Sequence, residues 1–138
     1  TEVVDVFSRR VLAHKVAITL EACHAREIME QALARHGAPE IVNTDQGSQF
    51  TAEEFTRVVL QAGCRLSMDG RSAWRDNVFV KRLWRSVKYE RVYLKAYDSV
   101  SAARADIAGY LAWYNAHRAH SSLDRLTPMK RTSRACRN

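Results

Sequence analysis

Much of what would classify this 138-residue chain at a glance is missing from it. Its three cysteines, Cys23, Cys64 and Cys136, are odd in number, far apart and never spaced as Cys-x-x-Cys. Neither a disulfide framework nor a zinc site is indicated, and a reducing cytoplasm is the expected setting. No apolar run approaches the ~18 residues that cross a bilayer, and no signal peptide opens the chain, so a membrane-spanning reading is set aside. There are no repeats, low-complexity tracts or linkers, which leaves one domain of ordinary size. Acid is in short supply: 15 Asp+Glu stand against 22 Lys+Arg, for a net charge of +7. That imbalance favours a polyanionic partner such as DNA, although many proteins share it without one. An initiator methionine is absent too; Thr1 already lies in a strand-like run, so the chain reads as a piece of something longer.

What is present is the composition of a soluble globular protein, with 46% apolar and 27% charged residues. Alternating β-branched residues over 1–7 and 11–18, separated by the polar Ser8-Arg9-Arg10, predict a hairpin. Thr19 can cap a helix to about His36, with Leu20, Cys23, Ile28, Ala32 and Leu33 as its apolar stripe. Gly37 and Pro39 end it. A short strand over 40–44 leads to Asp45, and Thr51-Ala52-Glu53-Glu54 has the capping-box pattern of a helix running to about Ala62. Another strand over 64–68 and a loop over 69–75 precede long helices over about 76–91 and 99–116. This order predicts an α/β domain.

Three motifs carry the chemistry. Val42-Asn43-Thr44-Asp45-Gln46-Gly47-Ser48-Gln49-Phe50 puts a carboxylate just past a strand end, before a glycine loop. Asp76-Asn77-Val78-Phe79-Val80-Lys81 opens a helix, with thirty-five residues between Asp45 and Lys81. Tyr114-Asn115-Ala116-His117-Arg118-Ala119-His120 leads on to Leu123 and Thr127-Pro128. Together these resemble insertion-sequence transposases with a retroviral-integrase-type, Asp-Asp-35-Glu catalytic core. The resemblance covers essentially the whole chain. It implies a ribonuclease-H-like fold: a five-stranded mixed sheet with helices on both faces, whose first strand lies centrally between the second and fourth. It also implies metal-dependent phosphoryl transfer on DNA ends, with Mg2+ or Mn2+ as cofactor.

The departures matter as much as the matches. Asp45 corresponds to the family's second catalytic aspartate and is the expected metal ligand, the bland alternative being an acid that caps its own turn. At the family's glutamate position stands Lys81, whose ammonium repels divalent cations. Asp5 matches a second-strand aspartate that is not catalytic, and the strand bearing the first catalytic aspartate is expected upstream of Thr1. Ala119 replaces the family's proline. Asn77, Lys81, Arg85 and Lys88 fall on one helical face, to be read either as a phosphate-binding stripe or as a solvated one. Arg118 is a candidate DNA or scaffold contact. His117 and His120 have no partner at metal-ligand spacing, and Trp84 is assigned to packing.

The expectation is therefore a catalytic-core piece over 1–128, short of its central strand, with a basic tail over 129–138. Its reaction is expected to be lost. Element ends and target duplex are the expected DNA partners, and a further copy or an intact transposase is a candidate protein partner. The alternative is a non-catalytic DNA-binding or oligomerisation module that modulates intact transposase.

Overall fold

The computed structural model describes the backbone of residues 1–68 and 73–135, and their side chains except those of 73–77, 134 and 135. The chain opens with β1 (Glu2–Val4) and β2 (Val11–His14), an antiparallel pair. Both strands are shorter than the alternating pattern predicts. Asp5 explains the early stop: its carboxylate accepts hydrogen bonds from the backbone N–H of Phe7 (3.2 Å) and Ser8 (3.1 Å), folding the chain into a turn. The pairing Val3↔Ala13 followed by Val4↔Val11 leaves Leu12 as an extra, bulged residue. The bulge lets Val11 and Ala13, two positions apart, reach different core clusters.

Helix α1 (Ala22–His36) follows, starting later than the capping role given to Thr19 requires. Thr19 binds the Glu21 side chain instead, and Leu20 is 75% exposed, so neither joins the helix or its apolar stripe. Ala25, Ile28, Met29 and Ala32 form the buried stripe. β3 (Ile41–Asn43) pairs in parallel with β4 (Arg65–Ser67). Between them the expected single helix is two: α2 (Ser48–Thr51) and α3 (Glu53–Gln61), broken at Ala52, whose ψ is 140°. The capping box does not form, because the Thr51 hydroxyl donates back to Ser48 O at 3.3 Å. Phe55 and Val59, one turn apart, bury the inner face of α3.

Helix α4 (Ala73–Glu90) begins three residues before the expected start, and part of the expected 69–75 loop lies outside the described residues. Helix α5 (Val100–His117) is capped by the Ser99 hydroxyl, which accepts the Ala102 N–H at 3.1 Å. The expected basic tail begins as helix α6 (Pro128–Ala135). Thr127-Pro128 is a helix start: the Thr127 hydroxyl accepts the Lys130 N–H at 3.4 Å, and proline occupies the first turn.

Helices cover both faces of the strands. Val3, Val42 and Leu66 pack with Ala25, Met29, Phe55 and Val59 on the α1–α3 side. Val4 and Val11 pack with Leu83, Val87, Ile107, Tyr110, Leu111 and Tyr114 on the α4–α5 side. Trp84 is partly buried against the second cluster, in keeping with a packing role. Among the described residues the strands form two separate two-stranded sheets, β1–β2 and β3–β4, with no ladder between them.

Candidate functional site

Asp45 is delivered by β3, two residues past Asn43, and is exposed. Its Oδ1 accepts the Gly47 N–H at 3.0 Å, closing the turn that leads into α2. A Cβ on residue 47 would lie 2.9 Å from Asp45 Oδ1 and 2.9 Å from both terminal atoms of the Gln49 side chain. A side chain at residue 47 would have to displace the ends of the Asp45 and Gln49 side chains. The Gln46 amide donates to Met68 O at 3.4 Å and ties the loop to the end of β4.

On α4, Lys81, Arg85 and Lys88 are exposed, while Leu83 and Val87 on the opposite side are buried. The 4- and 3-residue spacings hold the three cations within one stripe. Arg85 lies 5.7 Å from the centre of the Tyr89 ring, a distance that steadies the guanidinium over a π face. Among the described residues none of the three cations has an acidic partner. The side chains of Asp76 and Asn77 lie outside the described residues. Asp45 and Lys81 are not joined by an ion pair.

Two hard divalent ions beside a phosphodiester need several convergent carboxylate oxygens. Among the described residues no second acid or histidine gathers with Asp45 into a group of three possible ligands. One of its oxygens already serves the turn, and Lys81 on α4 carries an amine. The described residues do not fit a paired-metal centre. The one group of three described ligand-type residues lies elsewhere, at Glu21, Cys23 and His24.

The C-terminal motif turns out to be joinery. Arg118 Nη1 donates to both oxygens of Glu90, at 2.7 and 2.9 Å, and the Tyr110 hydroxyl donates to the same carboxylate at 2.8 Å. Burial pushes the Glu90 carboxyl up, but the Arg118 and Tyr110 hydrogen bonds outweigh it and leave the group below its usual range. Burial and the bond to Glu90 push the Tyr110 phenol up to about 12. Arg118 is thus a scaffold ion pair between α4 and the end of α5. His120 is held edge-on to Tyr114, 5.2 Å between ring centres, and burial lowers its tendency to protonate.

Asn115, which sequence reasoning passed over, clamps β2. Its Oδ1 accepts the Val11 N–H and its Nδ2 donates to Val11 O, both at 2.9 Å across 104 residues of chain. A side-chain amide here completes a strand edge as another strand would. The only signal in the sequence was the Tyr114-Asn115 pair itself.

With this geometry in place, comparison with known proteins is direct. Residues 2–72 and residues 62–128 each match an integrase core domain family. The transposase for insertion sequence element IS904 of Lactococcus lactis is 30% identical over 128 residues, covering 91% of this chain and 51% of that protein. Transposase InsF for insertion sequence IS3A of Escherichia coli is 29% identical over 129 residues, covering 91% and 45%. The chain spans about half the length of the curated relatives it matches. Among solved structures, the catalytic core domain of BIV integrase superposes with a TM-score of 0.73 at 18% identity, covering 98% of this chain and 87% of that one. The HTLV-2 integrase catalytic core domain in complex with magnesium gives 0.62 at 21% identity, covering 92% and 79%. The fold is therefore the ribonuclease-H-like fold of integrase catalytic cores.

Proposed function

The chain belongs to the integrase core domain family, and on that premise we propose that it is part of an insertion-sequence transposase that grips DNA without cutting it. The reaction it descends from is metal-dependent transfer of phosphoryl groups at DNA ends. The observation that carries the reading is Lys81, exposed on α4 where the resembled catalytic helix has its glutamate.

An acid at that position holds a cation; an ammonium takes a phosphate instead. Lys81, Arg85 and Lys88 supply three positive charges on successive turns, suited to a run of backbone phosphates. Asp45 keeps its place and serves its own turn. Arg118 contributes by fastening the end of α5 to α4, which steadies the helix that presents the stripe. Self-association is a second component of the proposal, motivated by the exposed Tyr89, Tyr93 and Leu94 at the C-terminal end of α4 and just beyond it. Aromatic residues that are exposed and packed on each other, as Tyr89 and Tyr93 are at 5.2 Å between ring centres, suit a protein contact.

The test is fluorescence anisotropy with a labelled duplex over a range of salt. Affinity should fall steeply with salt, and alanine at Lys81, Arg85 and Lys88 together should lower the slope of log K against log salt by up to about three. Binding whose affinity and slope ignore all three substitutions would remove the stripe from the interface.

A further inference from the structure

The start of α1 holds a set of donors that no part of the DNA-binding reading uses. Glu21 occupies the position before the helix in extended geometry, φ −85° and ψ 145°, where a shorter Asp, Asn, Ser or Thr would accept a backbone N–H of the first turn. Its side chain makes no such cap. Both oxygens turn to side chains instead: Thr19 donates to Oε1 at 2.9 Å and the Cys23 thiol donates to Oε2 at 3.5 Å. The sulfur lies 3.8 Å from His24 Nδ1, and Thr19 Oγ1 lies 3.4 Å from His24 Nε2. Four side chains therefore close a ring within six residues. One face of that ring presents a carboxylate oxygen, a sulfur and an imidazole nitrogen, all within 4.8 Å of one another.

We propose that Glu21, Cys23 and His24 bind a zinc-class transition-metal ion at the N-terminal corner of α1. Zinc at about 2.3 Å from sulfur and about 2.0–2.1 Å from nitrogen or oxygen holds neighbouring tetrahedral ligands roughly 3.3–3.6 Å apart. The pairs at 3.5 and 3.8 Å are already close to that spacing, so small side-chain rotations complete the site. Thiolate, imidazole and one carboxylate make a donor set that favours zinc, cobalt or nickel over magnesium. Thr19 is the outer support, holding the far imidazole nitrogen and the spare carboxylate oxygen. Three protein ligands leave the fourth position to water or a further ligand, and the exposed Glu21 keeps that side accessible. Sequence reasoning dismissed zinc because it looked for paired cysteines; the ligands here are packed into Glu21-Ala22-Cys23-His24. The binding step displaces the Cys23 thiol proton to solvent as the sulfur–metal bond forms.

The experiment is titration of the full chain with Co2+ as a spectroscopic stand-in for zinc, followed by displacement with Zn2+. A sulfur-to-cobalt charge-transfer band should rise to one equivalent with release of about one proton per ion, and excess Mg2+ should not displace the metal. Cys23→Ser should abolish the band and His24→Ala should weaken binding. Thr19→Ala should cost about 10–100-fold in affinity, as loss of an outer support does. Cys136→Ser should leave the titration unchanged. Absence of a thiolate band in the unmutated chain, or a band that survives Cys23→Ser, overturns the proposal.

Discussion

Single residues carry the proposed reading of this domain. Motif and spacing put Lys81 and Asp45 forward as site residues, because the chemistry of the resembled core fixes residue type at fixed intervals. The close packing around Gly47 and the Asn115 clamp were not legible there, since each depends on which atoms the fold brings within 3 Å. Replacing Asn115 with alanine leaves the Val11 N–H and C=O without partners, at a cost of about 1–3 kcal/mol. Urea denaturation should show that loss as a lower midpoint at unchanged slope; an unaltered midpoint would mean that water replaces the amide without cost.

Glu2 gives a second residue-scale outcome. Burial raises its carboxyl to about 8, and Oε1 has no hydrogen-bond partner among the described residues. Because the folded value exceeds the unfolded one, this group's contribution is at its best below about pH 4.5. It is lost as pH climbs toward 8, at no more than about 1.4 kcal/mol per pH unit. Glu2→Gln should therefore leave stability unchanged near pH 4 and raise it progressively up to pH 8. A stability difference that does not grow with pH across that range would contradict it.

At the scale of elements, the sequence marked every strand and long helix approximately, and erred where local chemistry had competing partners. Thr19 and Thr51 both had the residue type for a helix start, yet one hydroxyl binds a neighbouring carboxylate and the other the preceding turn. Ser99, with no such competitor, caps as its type predicts. Strand lengths were overestimated at β1 because Asp5 could satisfy the turn's amides within three residues. Among the described residues the strands form two separate two-stranded sheets. Both pack against α1, so one helix joins two half-sheets that do not support each other by backbone hydrogen bonds. Amide hydrogen exchange should consequently release β1 and β3 well before the buried turns of α5 around Tyr110 and Tyr114. Equal protection of all of them would show that the half-sheets are bridged in solution.

For the molecule as a whole, helices on both faces of the strands present one basic stripe outward, and Asp45 stands on its loop with no second acid or histidine gathered into a ligand group among the described residues. No described helix is long and apolar enough to cross a membrane. On the proposed reading, the net charge of +7 acts at long range to bring a duplex near, and the α4 stripe sets where it sits. The proposed division between a retained grip on DNA and a lost reaction rests on the ligand count around Asp45 among the described residues. Its most direct test is a structure of this chain soaked or crystallised in millimolar Mn2+, read by anomalous scattering around residue 45 and paired with a cleavage assay on duplex DNA. The account predicts no ordered pair of ions beside Asp45 and no metal-dependent cutting, with Lys81→Glu alone restoring neither. Two ordered manganese ions seated there, or strand cleavage by the unmutated chain, would contradict it.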